Sequence, residues 1–359
     1  MKIIFNGTIF YKQKYGGISR YFYNLANELI NKKIDFKIVT PFHKNLYLKD
    51  LNTKYKTGMY IKHFPDLKII DKFQIRFSNY YISKIKPSIV HETYYSENVK
   101  KKNSLKVLTV YDLIHEKFPH LYSFSYNKKK SFEDVDFFIC ISETTKNDLK
   151  EIYDISDDKI KVIYLGADHM LLNQNKIDYD ILSKPYILYV GSRKKYKDFQ
   201  TLIKAYSNSK ILSKDYNIVC FGGGFFSTSA KKSFKKLKIS KNLINLQGDD
   251  QLLYNLYKNS RCFVSTSLYE GFGMPIIEAM YCKCPVILSD CSTHKEIARG
   301  NAIYFNKSNY DDLMNVFERD LYSDNKLNNL NKAANSYVKN FNWEKCAKET
   351  LEVYNKIII

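Results

Sequence analysis

The stretch EGFGMPIIE, Glu270 to Glu278, sets two carboxylates on either side of two glycines and a proline, with seven residues between the acids. Pro275 suits the first turn of a helix, where its missing N–H would have no partner in any case. Gly271 and Gly273 then read as the turn leading in, with Phe272 and Met274 beside them, so that amides near the helix end face whatever binds there. The apolar run Cys262–Ser265 precedes this turn and Val286–Leu288 follows the helix, both of strand length. Strand, glycine turn, helix, strand is the building block of a parallel sheet.

The same alternation runs through the chain. Strands are expected at Ile3–Phe5, Phe36–Val39, Ser88–His91, Val107–Tyr111, Phe137–Ile141 and Lys161–Leu165, with helices such as Arg20–Ile30 and Glu143–Ile152 between them. From Met170 to Ser183 the chain turns polar and aperiodic, which reads as a linker. After Pro185 the run YILYVG opens a second series, at Ile187–Val190, Ile218–Phe221, Leu243–Leu246, Cys262–Ser265, Val286–Leu288 and Ala302–Phe305. With 359 residues, two doubly wound α/β domains are expected. The tail FNWEKCAKETLEVYNKIII offers Asn342 as the N-cap of a last amphipathic helix.

Composition excludes several classes. Hydrophobic residues at 45% and charged residues at 26% describe a soluble globular chain, and no run of 18 apolar residues suggests a membrane span. MKIIFNGTIF reads as a first strand and not as a leader, so a cytoplasmic protein is expected, with a peripheral station on the cytoplasmic face of a membrane as the further option. The seven cysteines have no CxxC pattern and read as buried thiols, and Cys282 and Cys284 lack further ligands at metal spacing. The formal charge is +20, of which residues 1–110 carry +14, from 21 basic and 7 acidic residues. An acidic partner such as an anionic membrane or a phosphorylated substrate would suit this, and so would a simple bias toward lysine.

Ligands of open α/β sheets bind beyond the carboxyl ends of strands, so the loops there carry the functional reading. In YGGISRY, Gly16 and Gly17 precede a helix and would let amides approach an anion, although taken alone the pair reads sooner as a plain turn. In GSRKKYKDF, Arg193 and Lys197 bracket a loop and would face one anion as a planar fork and a point charge, against the plain reading of a solvated basic turn. In FGGGFFS, Gly222, Gly223 and Gly224 permit close backbone approach. Glu278 lies one turn inside its helix, where a carboxylate can accept two hydrogen bonds from a vicinal diol such as a ribose. A first-turn acid favoured by the helix dipole would account for Glu278 but not for Glu270 or the glycines.

Together EGFGMPIIEAM, YILYVGSRKKYKDF, VIYLGAD and FNWEKCAKETLEVY resemble the retaining, nucleotide-sugar-dependent glycosyltransferases of family 4 over nearly the whole chain, most loosely between residues 41 and 85. The resemblance implies the GT-B fold, two Rossmann-like domains facing a central cleft, with an acceptor domain over 1–170, a donor domain over 171–342 and a helix over 343–359 crossing back to the first domain. It implies that Arg193 and Lys197 hold the donor diphosphate, Glu278 the ribose and Glu270 the transferring sugar. Gly16, Gly17, Gly222, Gly223, Gly271, Phe272, Gly273 and Met274 would complete the donor site, with no metal and no cofactor, the nucleotide-sugar being a substrate. Tyr111 stands where many members carry a histidine that contacts the donor sugar, although His115 is nearby. The implied reaction moves a hexose, with GDP-mannose preferred and UDP-sugars close behind, onto a glycan or lipid-linked acceptor hydroxyl in surface polysaccharide synthesis. Two rivals remain open at this point: a sugar-nucleotide epimerase of the same architecture, and a non-catalytic basic binder of nucleic acid or membrane.

Overall fold

The computed structural model describes residues 1–63, 68–96, 99, 103–122, 128–173, 182, 184–193 and 195–358. The chain divides into two compact units, one formed by Met1–Gly166 with Asn342–Ile359 and the other by Ala167–Phe341. Each is built around a six-stranded, all-parallel sheet.

In the first unit the strands are β1 (Lys2–Asn6), β2 (Asp35–Val39), β3 (Ile89–Glu92), β4 (Leu105–Val110), β5 (Phe137–Cys140) and β6 (Ile160–Val162). They lie in the order β2-β1-β3-β4-β5-β6. β3 is buried at every position and β4 at all but its first, as expected of a strand covered on both faces. A two-residue pairing of Phe42–His43 with Met59–Tyr60 was not anticipated; neither segment has the length to show a periodicity.

The last helix, Trp343–Ile358, belongs to this unit. It starts as expected, with the Lys345 amide donating to the Asn342 side chain at 2.8 Å. Its buried residues Trp343, Cys346, Ala347, Thr350, Val353 and Tyr354 follow helical spacing and form one face. The Tyr354 hydroxyl meets His91 Nδ1 at 2.5 Å, and an added Cβ on Gly166 would come within 2.5 Å of the Trp343 amide. The helix is thus keyed into the unit by a buried polar contact as well as by apolar area.

In the second unit the strands are β7 (Tyr186–Val190), β8 (Asn217–Phe221), β9 (Leu243–Leu246), β10 (Cys262–Ser265), β11 (Val286–Ser289) and β12 (Ile303–Phe305), in the order β9-β8-β7-β10-β11-β12. Leu202, Ile203 and Tyr206 of the helix Phe199–Asn208 pack with Ile187, Ile218 and Val264 of the sheet in its core. Strand order reverses at β7, whose neighbours are β8 on one side and β10 on the other. The crevice at such a switch point lies outside the carboxyl ends of the two strands, which here lead into Gly191–Lys197 and Ser265–Glu270.

All twelve strands expected from the sequence are present, two of them with the expected ends and the others with ends shifted by at most three residues. The seven cysteines are free and buried, and burial pushes the thiols of Cys140, Cys220, Cys262, Cys282, Cys284 and Cys291 upward, Cys291 to about 11. Of the polar stretch read as a linker, Asp168–Asn173 forms a 3-10 turn and most of the remainder lies outside the described residues.

Candidate functional site

The site is assembled where the loops after β7 and β10 meet. The Thr266 hydroxyl donates to the Lys197 carbonyl at 2.8 Å, and the Leu268 amide donates to the Tyr196 carbonyl at 2.8 Å, so the two loops are laced together by backbone-directed bonds. This brings Lys197 Nζ onto the Glu270 carboxylate, which also accepts from the Ser267 hydroxyl at 2.6 Å. Thr293 Oγ1 donates to the Glu270 carbonyl at 2.5 Å and fixes the backbone that carries the acid. Lys197, Glu270, Ser267, Gly273 and Pro275 line a niche of about 10 Å³, room for roughly one water molecule.

Pro275 does sit in the first turn of its helix, Met274–Tyr281, and Gly273 precedes it at φ 92, a left-handed conformation that suits glycine. Gly271 and Phe272 are buried, and Phe272 packs edge-on to Phe341 with ring centres 6.1 Å apart. Met274 is half-buried. Glu278 falls beyond the first turn, so the helix-dipole explanation does not hold for it. It is buried, accepts from the Tyr257 hydroxyl at 3.2 Å, and stands 3.8 Å from His169 Nε2.

Arg193 and Lys197 have different partners. The Arg193 guanidinium donates to the carbonyls of Gly222 at 3.2 Å, Gly223 at 3.1 Å and Gly224 at 2.5 Å, and lies 4.8 Å from the centre of the Phe226 ring. Those glycines run through three successive positive φ values, 74, 68 and 79, which turn their carbonyls toward the fork. A Cβ on Gly223 would come within 2.3 Å of the Gly191 carbonyl oxygen. Arg193 therefore shapes the glycine loop, while Lys197 faces the niche. Lys195 is exposed, and Lys194 lies outside the described residues.

Charge in the niche is set by burial and by neighbours. Burial pushes the Glu270 carboxyl upward, but Lys197, His294 and the bonds from Lys197 and Ser267 together hold it below the usual range. His294 is pulled below its usual value, first by burial, against the pull of Glu270. Its Nδ1 donates to the Ser289 carbonyl at 2.8 Å, which leaves Nε2 to accept from the Ser265 hydroxyl at 3.3 Å. Ser267, Thr293 and His294 were not picked out from the sequence. The hydroxyl run Ser265–Ser267 directly after an apolar strand was the available signal, whereas Thr293 and His294 arrive from the next strand–helix unit.

The remaining expected residues belong to the first unit. Gly16 is extended and Gly17 begins the helix Gly17–Asn31, three residues earlier than expected. The Gln13 side chain accepts from the Ser19 amide at 3.3 Å, so part of that helix end is already occupied. A Cβ on Gly17 would meet nothing within 4 Å. Tyr111 is buried, its hydroxyl donates to the Thr93 carbonyl at 3.0 Å, and its amide donates to the Tyr95 hydroxyl at 3.1 Å. These bonds fix the ring within the unit.

Residues 15–170 match the family described as Glycosyltransferase Family 4, and residues 173–337 match that described as Glycosyl transferases group 1. The chain belongs to the family 4 glycosyltransferases. Among family relatives, O-antigen chain mannosyltransferase B of Escherichia coli is 23% identical over 236 residues, covering 63% of this chain and 62% of that protein. The N-acetylgalactosamine-N,N'-diacetylbacillosaminyl-diphospho-undecaprenol 4-alpha-N-acetylgalactosaminyltransferase of Campylobacter jejuni is 28% identical over 168 residues, covering 47% and 44%. The chain thus spans 62% of the first relative's length and less than half of the second's. In fold, the chain is similar to a sucrose-phosphate synthase from Thermosynechococcus elongatus, with TM-score 0.79 at 18% identity over 99% of both chains. Two parallel-sheet α/β units of this kind constitute the GT-B fold.

Proposed function

We propose that the chain is a retaining glycosyltransferase that moves a hexose from a nucleotide-diphosphate sugar onto a hydroxyl of a glycan or lipid-linked acceptor. The observation that carries this reading is the part-buried Lys197–Glu270 pair beside the glycine-led helix end, at the switch point of the second unit's sheet. An ammonium, a pair of hydroxyls and the amides of a helix end offer donors to a diphosphate. A diphosphate arriving there gives Lys197 a second anion, and Glu270, freed in part, can accept from sugar hydroxyls. Glu278 takes the ribose in this reading, with Tyr257 holding its carboxylate. Arg193 acts through the glycine loop that it orders.

Negative charge grows on the leaving phosphate as the glycosidic bond breaks, and preorganised donors aimed at that charge are usually the largest catalytic term. The acceptor hydroxyl attacks on the face the nucleotide leaves, so the anomeric configuration is kept, and no metal or cofactor enters this scheme. Mannose is the preferred sugar, because the first relative is named for it, although the second is named for N-acetylgalactosamine transfer onto an undecaprenol-linked acceptor. Both relatives are named for surface glycan or lipid-linked glycan chemistry, which supports a polysaccharide pathway.

The test compares Lys197→Ala with Lys195→Ala in transfer from radiolabelled GDP-mannose and UDP-sugars to an acceptor panel. Lys197→Ala should depress turnover by about 10²–10³ and donor binding by less, because its contribution grows toward the transition state. Lys195→Ala should stay within a few-fold of the parent. Equal small losses in both variants would make the loop a solvated basic turn and remove the proposed role.

A further inference from the structure

We propose that the segment after the glycine loop, Phe225 to Lys241, is a docking surface for an anionic membrane, carried by the second unit and independent of the reading of the donor site. Between residues 216 and 248 the chain has six lysines, Lys231, Lys232, Lys235, Lys236, Lys238 and Lys241, and no acidic residue. This +6 and the +14 of residues 1–110 account for the whole formal charge, so the rest of the chain is neutral on balance. All six lysines are exposed, and none of them has an acidic neighbour within this 33-residue stretch of sequence. An ordinary solvated face intersperses both signs.

Charge alone would suit any polyanion; Phe225 narrows the choice. It is 81% exposed, the most exposed of the large hydrophobic residues among those described. The next residue, Phe226, turns inward and packs on Phe234 with ring centres 5.1 Å apart, which anchors the loop to the helix Thr228–Lys236. Phe225 shares the wall of an open groove with Ser229 and Ser233 of that helix. At 100° per residue Ser229 and Ser233 border Lys232 and Lys236, while Ala230 and Phe234 face the core. An aromatic ring therefore stands beside a row of ammonium groups on one face. That is the pairing that binds anionic lipid, with the ring entering the headgroup boundary and the lysines engaging phosphates.

The experiment measures binding of the full chain to vesicles of phosphatidylcholine with and without phosphatidylglycerol, by sedimentation at low salt. The chain should bind the anionic vesicles and leave the neutral ones. Replacing Lys231, Lys232, Lys235 and Lys236 with Gln should weaken binding by about fivefold per engaged lysine, on the order of 10³ if all four engage. Replacing Lys258, Lys283, Lys332 and Lys339, exposed elsewhere on the same unit, removes the same charge and should change it less than tenfold. The chain's one tryptophan, Trp343, is buried, so Phe225→Trp supplies an exposed reporter, and its emission should shift to the blue on anionic vesicles only. Equal losses from the two lysine sets, or an unshifted emission from bound Phe225→Trp, would overturn the proposal. So would binding to heparin or RNA that needs the lysines, with no binding to vesicles. Nucleotide affinity measured without vesicles reports the donor site separately.

Discussion

Removing the Lys197 ammonium tests whether the niche is a buried electrostatic unit or a surface contact. The two side chains are 19% and 12% exposed, between the fully buried pairs, which cost about 3–5 kcal/mol to break from one side, and exposed pairs worth about 0–1 kcal/mol. Lys197→Met should therefore destabilise the second unit by about 2–3 kcal/mol at pH 7, because Glu270 keeps its charge but is left chiefly with the Ser267 hydroxyl. Glu270→Gln should cost about 1 kcal/mol: the amide oxygen still accepts from Ser267, and the lysine stem can carry its head toward water. The double variant should lose about 1–2 kcal/mol less than the sum. The pH dependence follows from the direction of the shift. In the parent, Glu270 is held below its ordinary 4.5, so its contribution is present above that value and is lost as pH falls through the folded value. In Lys197→Met burial is less opposed, the carboxyl rises, and the deficit against the parent should shrink as pH falls below 4.5. Urea unfolding followed by circular dichroism at pH 7 and pH 4 measures each quantity. A deficit under about 0.5 kcal/mol, equal at both pH values, would refute the reasoning.

Three further outcomes follow from the geometry. Gly223→Ala should destabilise the glycine loop by more than about 2 kcal/mol, since its Cβ meets a carbonyl oxygen at 2.3 Å at a positive φ, whereas Gly17→Ala meets nothing and should be neutral or stabilising by up to about 1 kcal/mol in thermal melts. If Gly17 is kept small for a ligand, Gly17→Ala should raise the donor KM or lower turnover without lowering the melting temperature. Tyr111→Phe deletes a buried hydroxyl bonded to Thr93 and leaves that carbonyl without this donor; a loss of about 1–2 kcal/mol with unchanged nucleotide affinity is expected, and altered donor choice with unchanged stability would show a direct sugar contact. His91 is pulled from 6.5 to about 3 by burial and so stays neutral in the folded chain. The unfolded chain takes up the proton below 6.5, so stability is lost as pH falls, by about 1.4 kcal/mol per pH unit; His91→Gln should make the slope between pH 6 and 4.5 shallower by that amount, and an unchanged slope would contradict the assignment.

What was legible in the sequence, and what was not, divides by range. Strands such as Phe137–Cys140 are short apolar runs bounded by polar turns, so they announce themselves locally. Gly273 and Pro275 likewise report a helix start from residue type alone. Arg193 shows the limit: its spacing suggests a fork aimed at an anion, but the carbonyls of a left-handed triple-glycine loop, about thirty residues away, reach it first. His294 was missed for the same reason: its relation to Glu270 depends on which strands are neighbours in the sheet, and β10 beside β11 brings them together. Ser267, three residues before Glu270 in the same loop, carried only the local signal of a hydroxyl run. Tyr111 could be placed at a strand end from the sequence, but not the direction of its hydroxyl, which points to Thr93.

The central claim is that the second unit binds a nucleotide-diphosphate sugar through the Lys197–Glu270 niche, and equilibrium binding tests it most directly. Thermal melts of the parent with GDP, UDP, ADP and their sugar conjugates are the measurement. A ligand at about 100 times its dissociation constant stabilises the folded state by about 2.7 kcal/mol, or several degrees at about 2–4 °C per kcal/mol. The account predicts that at least one nucleotide diphosphate raises the melting temperature by that amount, GDP first among them, and that Glu270→Gln reduces the extra shift given by the attached sugar while keeping that of the free nucleotide. No shift with any nucleotide diphosphate at millimolar concentration would contradict it.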